Sequence, residues 1–209
     1  MIGYGSLVDE ASRRRTIPDA VEASPVTVPG YRRMWGHRMD AVGYVGATTF
    51  LTVVPDAAAE FNGVLFEIDE DRLGDLDLRE RGYRRERLQA GQLMPSVAPP
   101  DALEGDTWIY VSDPSDLIPP DDEYPIIQSY LDVCMTGCID IARRHPDACA
   151  DFARRFVDTT GGWSGCWVND RVYPRRPQRD VPYAREIDTL LRELLPQEFA
   201  AIRLDTGRS

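Results

Sequence analysis

The stretch LDLRERGYRRER, residues 76–87, sets the carboxylates of Asp77, Glu80 and Glu86 among five arginines. Acids in such company either form surface ion pairs or move protons. Pairing is available on a helix, because Asp77 stands four residues before Arg81 and Glu80 four before Arg84. Proton transfer asks for more: one carboxyl must be withdrawn from water so that its pKa climbs toward neutrality. By residue type alone Glu80 reads as an exposed ion pair, since glutamate is rarely buried. Its position, where a helix gives way to Gly82 and a strand, also lets the side chain project into the end of a sheet. Asp77 reads as a local stabiliser worth a few tenths of a kcal/mol through Arg81. Glu86, within an alternating strand, reads as solvent-facing.

The N-terminal run MIGYGSLVD offers a different chemistry. Glycines flanking Tyr4 directly after a short apolar strand let the backbone turn sharply and leave amide N–H groups unpaired. Such a loop can receive an anion or a developing oxyanion. A tight turn around a core tyrosine would be written in the same letters.

Other chemistries find less support. The 24 basic residues are all arginine, which removes lysine Schiff bases and a Walker-type phosphate lysine. The four cysteines, Cys134, Cys138, Cys149 and Cys166, lack CxxC spacing. Cys134 and Cys138 share a helical face but have no visible second half of a metal site, so they read as small core residues. GWSGC departs from the GxSxG elbow at its second glycine. A thiol hydrolase built from Cys166 with His37 or His145 is a weaker option. No metal and no cofactor is expected.

The elements that must position these residues follow from patterning. β-Branched and aromatic runs bounded by Pro and Gly predict strands at 1–3, 26–34, 48–54, 61–68, 83–88 and 107–111, in a mixed or antiparallel barrel-like sheet. Leucines behind acidic first-turn residues predict a helix over 70–79. Apolar positions 126, 127, 130, 131, 134, 135, 138, 141 and 142 trace one helical stripe that should pack on the sheet. A further helix is expected in HPDACADFARRFVDTT, then a Gly-, Trp- and Pro-rich loop, then an amphipathic helix over 183–195. The segments SVAPPDALEGD and DPSDLIPPDDEYP read as surface connections.

A chain of 209 residues with 43% apolar content can bury one substantial core. No apolar run reaches the length of a membrane span, and the N-terminus lacks the regions of a signal peptide, so a cytoplasmic location is expected. The net charge of −11 disfavours a nucleic-acid partner.

Read together, GYGSL, PGYRRMW, FNGVLFEID, LDLRERGYRRERL and YLDVCMTGC form an ordered series. The series resembles the γ-glutamylcyclotransferase superfamily, including γ-glutamylamine cyclotransferases and glutathione-specific enzymes, over roughly residues 1–142. The resemblance implies an α+β fold, a mixed β-barrel with flanking helices; residues 143–209, which have no counterpart in the compact family members, read as a helical and loop extension packed on the same domain. It implies that the loop Tyr4, Gly5, Ser6 and Leu7 holds a γ-glutamyl group through backbone amides and that Glu80 is the general acid/base. Tyr83 and Tyr130, the latter ahead of Gly137, are implied as supporting binding residues.

The implied reaction closes a γ-glutamyl compound on itself: the α-amine attacks the γ-carbonyl, giving 5-oxoproline and the free amine. The substrate carries its own nucleophile, and proximity supplies on the order of 7 kcal/mol or more. The protein need only hold the chain folded, stabilise the oxyanion and pass one proton through a carboxylate. The partner is then a small γ-glutamyl molecule. Within the extension, Trp163, Trp167 and Arg171 are candidates to cover the pocket and choose the amine; packing against the sheet is the other reading of the same residues. A binding module that keeps the pocket without the chemistry is the alternative function.

Overall fold

The computed structural model describes residues 1–18, 23–40, 46–89, 91–97, 105–176 and 181–205. From β1 (Ile2–Gly3) the chain passes through a 3-10 turn, Ser6–Val8, into α1 (Glu10–Arg14), and the two long strands β2 (Ser24–Met39) and β3 (Thr48–Leu65) follow. A second 3-10 turn, Glu70–Arg72, opens α2 (Leu73–Arg79). Short strands β4 (Arg84–Arg87), β5 (Met94–Pro95), β6 (Trp108–Val111) and β7 (Ile126–Ile127) lead to the long helix α3 (Gln128–Arg144). Beyond it lie α4 (Pro146–Cys149), α5 (Phe152–Asp158), β8 (Thr160–Gly161), β9 (Trp167–Asn169), α6 (Ala184–Leu194), α7 (Pro196–Ala200) and β10 (Arg203–Leu204).

The architecture is α+β, as expected. In the main sheet β1, β3, β2 and β5 are antiparallel neighbours in that order, and β8 joins β2 in parallel. β4 and β6 form an antiparallel ribbon that meets β3 through the bond from Ser112 N–H to the Val53 carbonyl. No pairing among the described residues closes these strands into a ring. The strands expected at 48–54 and 61–68 are one strand. Pairing steps from Tyr31 with Pro55 to Pro29 with Glu60, so residues 56–59 swing out of the ladder opposite Gly30, whose φ of 83° is open to glycine. Pro55 and the alanines after it read as a break because the strand does bulge there. The predicted surface connection over 96–106 falls largely outside the described residues.

α3 is the centre of the second layer. Leu131, Cys134, Met135, Cys138 and Ile139 are buried on it, and Cys149 is buried nearby, which bears out the reading of these cysteines as core residues. The predicted helical stripe begins two residues late, because Ile126 and Ile127 first pair with β9. The helix start is completed from across the chain: the Asp170 carboxylate accepts from Ser129 N–H at 2.7 Å and from the Ser129 hydroxyl at 2.6 Å. A first-turn N–H with no intrahelical acceptor thereby gains a charged one.

Gly137 sets how closely α3 approaches the N-terminal loop. A Cβ there would lie 2.5 Å from Asp9 N and 2.6 Å from the Val8 carbonyl carbon, both backbone atoms. Exchanging Gly for Ala inside a helix ordinarily stabilises by up to about 1 kcal/mol. Here the overlap reverses the sign. Gly137→Ala is expected to lower unfolding free energy in urea by about 2 kcal/mol; an unchanged or raised midpoint would show that the loop yields freely.

The C-terminal segment is bound to this frame by polar bonds and aromatic packing. The Arg171 guanidinium donates to both carboxylate oxygens of the fully buried Asp132 at 2.7 Å and to Asp188 at 2.9 Å. Trp163 packs edge-on against Trp35 and stacks on Trp167, which is fully buried. These three residues therefore build the core and its staple. Among the described residues no helix is long and apolar enough to cross a membrane.

Candidate active site

The C-terminal end of α2 delivers Glu80, whose N–H closes the helix on the Leu76 carbonyl at 2.8 Å. Gly82, at φ 100°, then turns the chain sharply against the His37 ring and into β4. Asp77, on the outer side, pairs with Arg85 at 3.1 Å and accepts from the Tyr110 hydroxyl at 2.8 Å, in place of the predicted Arg81. The α2 helix ends too early for the four-residue pairings, and the neighbouring strands supply the partners. Glu86 likewise departs from expectation: it is half-buried and accepts from Tyr31 at 2.7 Å.

Glu80 turns inward, with 18% of its side chain exposed. It borders a cleft of about 280 Å³ also lined by Ser6, Phe50, Arg79, Tyr83, Tyr130 and Arg176. A smaller adjoining cavity, about 30 Å³, is lined by Tyr4, Gly5, Ser6, Leu7, Glu80, Tyr83 and Tyr130 together with Leu51 and Tyr110. All seven residues singled out from the sequence thus meet at one place.

Electrostatics at Glu80 is a balance. Burial pushes its carboxyl above the ordinary 4.5, while the Arg79 charge and hydrogen bond, and the Arg176 charge, pull the other way; the net direction is upward. Arg79 Nε donates to Glu80 at 3.0 Å, and its other nitrogens donate to the hydroxyls of Ser6, Ser12 and Thr16 and to the Ser12 carbonyl. The one cation among the described residues in ion-pair contact with Glu80 is therefore shared among many acceptors.

The loop behind the cavity is held from its far side. The buried Arg33 donates to the Tyr4 carbonyl at 3.4 Å, and the buried Arg13 donates to the Leu7 and Val8 carbonyls at 2.8 Å. Because the peptide is trans, a Tyr4 carbonyl held inward puts the Gly5 N–H on the opposite edge. Tyr83 donates to the Leu51 carbonyl at 2.9 Å and stacks on His37, and Tyr130 packs edge-on against Phe50 and Trp35. Burial, with the negative charge of Glu80 added, holds the phenols of Tyr4, Tyr83 and Tyr130 far above 10, so all three stay neutral.

Sequence reasoning did not single out Arg79, Arg15, Ser12, Thr16, Met39 or Arg176. Arg79 stood beside Glu80 in the opening motif, and Arg176 in the Pro-bounded PRRP of the extension, so both were visible as cations without a stated place. The histidines and cysteines do not assemble: His37 stacks on Tyr83, His145 follows α3, and no hydrogen bond joins either ring to a cysteine among the described residues. Among the described residues no cluster of three or more His, Cys, Asp or Glu side chains could hold a metal.

Comparison with known proteins bears on the fold and the family. No curated protein matches the chain by sequence. Among solved structures, one titled gamma-glutamyl cyclotransferase superposes with a TM-score of 0.54 at 14% identity, covering 76% of this chain and 85% of that one. An uncharacterised protein from Homo sapiens gives 0.52 at 13% identity over the same shares. At those identities the likeness is one of fold. Residues 1–129, more than half of the chain, match the family described as gamma-glutamyl cyclotransferase, AIG2-like, and the protein belongs to that family.

Proposed function

We propose that this protein is a γ-glutamylcyclotransferase that releases 5-oxoproline from a γ-glutamyl amine or amino acid with Glu80 as its general acid/base. The observation that carries the reading is Glu80 itself: an inward carboxyl, raised by burial, facing the loop of Tyr4, Gly5, Ser6 and Leu7 across one cavity. Family membership and the fold likeness support the reaction class.

In this mechanism the carboxylate of Glu80 takes a proton from the substrate α-ammonium. The freed amine nitrogen forms a bond to the γ-carbonyl carbon, closing a five-membered ring, and the carbonyl oxygen takes the charge. Loop amides are aimed at that oxyanion or at the substrate carboxylate. As the tetrahedral intermediate collapses, the γ-carbon to nitrogen bond breaks and Glu80 returns its proton to the departing nitrogen. No water is consumed: the ring nitrogen gives up its second proton to the again ionised Glu80, which hands it to the freed amine, so the amine leaves as an ammonium and the proton count closes on one side chain. Tyr83 and Tyr130, neutral throughout, wall the cavity and hold its shape.

Residues 1–142 would form the catalytic core, with 143–209 as an extension of the same domain. Support comes from β8 pairing with β2, from the Arg171 staple to α3, and from Arg176 lining the cleft.

The assay is direct: incubate the protein with γ-glutamyl amino acids and γ-glutamyl amines, and quantify 5-oxoproline with the freed amine. Stoichiometric release is expected. Binding without release across that panel would instead support a non-catalytic module. Gly5 gives a sharper local check, since a Cβ at this position would lie 2.7 Å from the Tyr130 hydroxyl. Gly5→Ala is expected to cut kcat/KM at least about tenfold by pushing loop and ring apart, and adding Tyr130→Phe should restore part of it. Full activity in the single variant would detach the loop from the site.

A further inference from the structure

Arg176 comes from beyond the matched residues 1–129 and lines the large cleft, yet it does not reach the inner cavity that holds the loop. Its guanidinium lies 4.5 Å from the Phe50 ring centroid, and its Nε is buried without a hydrogen-bond partner. Among the described residues no carboxylate pairs with it. A half-buried cation left in this state is costly unless an anion completes it.

The position is built, not incidental. Asp170, fully buried, accepts from Arg175 N–H at 2.8 Å, and the Ser129 hydroxyl oxygen accepts from Arg176 N–H at 3.1 Å while donating to Asp170. The Asp170 carboxylate and the Ser129 hydroxyl thus fix, at the start of α3, the main chain from which Arg176 enters the cleft. With Arg15 and Arg79 on the same walls, three cations among the described lining residues face one carboxylate, that of Glu80, in a chain whose net charge is −11.

We propose that Arg176 receives a carboxylate on the leaving group, and so selects γ-glutamyl compounds whose released amine is itself an acid over those releasing a simple amine. The inference rests on the cyclotransferase reading. It places the γ-glutamyl end against the inner cavity, beside the loop amides, and the leaving nitrogen with its substituent in the outer cleft, where Arg176 stands. A bidentate guanidinium–carboxylate contact there adds affinity and fixes the departing nitrogen's orientation. Arg176 is then a specificity-determining residue, and the proton transfers remain with Glu80.

The test uses two ligands that differ by one carboxylate, γ-glutamyl-alanine and γ-glutamyl-ethylamine. Calorimetry is performed on Glu80→Gln, which should leave both intact. The alanine compound is expected to bind roughly ten- to hundredfold tighter, the fold-change of one charge-assisted hydrogen bond or more. Adding Arg176→Gln should collapse that ratio toward one, and Arg176→Lys should keep part of it; thermal melts of each variant establish that it is folded. Equal affinities, a ratio that survives Arg176→Gln, or equal weakening of both ligands would overturn the proposal, the last by assigning the arginine to the shared α-carboxylate. Failure of the wild-type protein to release 5-oxoproline, with the ratio intact, would remove the cyclotransferase reading and leave the anion contact standing.

Discussion

Replacing Glu80 with Gln is expected to cut 5-oxoproline release about a thousandfold, within the range that a positioned acid/base contributes, while the protein stays folded. Gln keeps the shape and can still accept from Arg79, but it cannot carry the proton from the ammonium to the departing nitrogen. The accompanying stability change has a definite sign. The folded pKa of Glu80 lies above its ordinary 4.5, so the folded state binds more protons than the unfolded chain between those two values. Stability from this group therefore falls as pH rises through that window, and at neutral pH the carboxylate is a burden on the fold. Glu80→Gln should melt no lower than wild type at neutral pH and should lose the steepness of that dependence. In the active protein the same elevation is expected to set the acid limb of the rate profile above 4.5. Arg79→Met, which removes the main force holding the pKa down, should move that limb to higher pH. Near-normal turnover in Glu80→Gln would reject the assignment outright.

The second large effect concerns stability. Arg33 is fully buried on β2 and donates to the Asn62 carbonyl and side chain, the Phe156 carbonyl and the hydroxyls of Thr159 and Thr160, while stacking 3.9 Å over Phe156. No carboxylate pairs with it among the described residues; carbonyl and hydroxyl dipoles carry the charge, and burial lowers its pKa to about 10. It joins sheet, α5 and β8 at one point and also reaches the Tyr4 carbonyl. Arg33→Met fills much of the space but strands several buried acceptors, each worth about 1–3 kcal/mol. A loss of about 4 kcal/mol or more is expected, lowering the melting midpoint by roughly 10 °C in a chain of this size. Arg33→Lys, with one nitrogen for a fork, should recover little. A midpoint within about 2 °C of wild type would mean that water replaces these bonds.

Much of this was legible in the chain itself. The α2 helix, the strands β4 and β6, the long helix α3 and the α6 helix follow from period and punctuation, which local sequence determines. The meeting of Glu80 with Tyr4, Gly5, Ser6, Leu7, Tyr83 and Tyr130 came from an ordered series of motifs and not from any one of them. What was not legible depended on distant partners. Asp77 and Glu86 take their partners from other strands, so helical and strand spacing named the wrong neighbour or none. Trp163 and Trp167 could be read as a cover or as packing against the sheet, and the packing reading is the one the contacts show; residue type alone does not say which side of a loop faces the sheet. Arg176 became meaningful only once Asp170 and Ser129 were seen to hold its main chain.

The clamp at the start of α3 grips peptide nitrogens and leaves the side chain at 176 ungripped by it. On the proposed reading, exchange at that position would retune which molecules are accepted without loosening the wall, while the proposed acid, Glu80, sits on another part of the chain. Selectivity and reactivity would in this way be inherited separately, and one could drift while the other is kept.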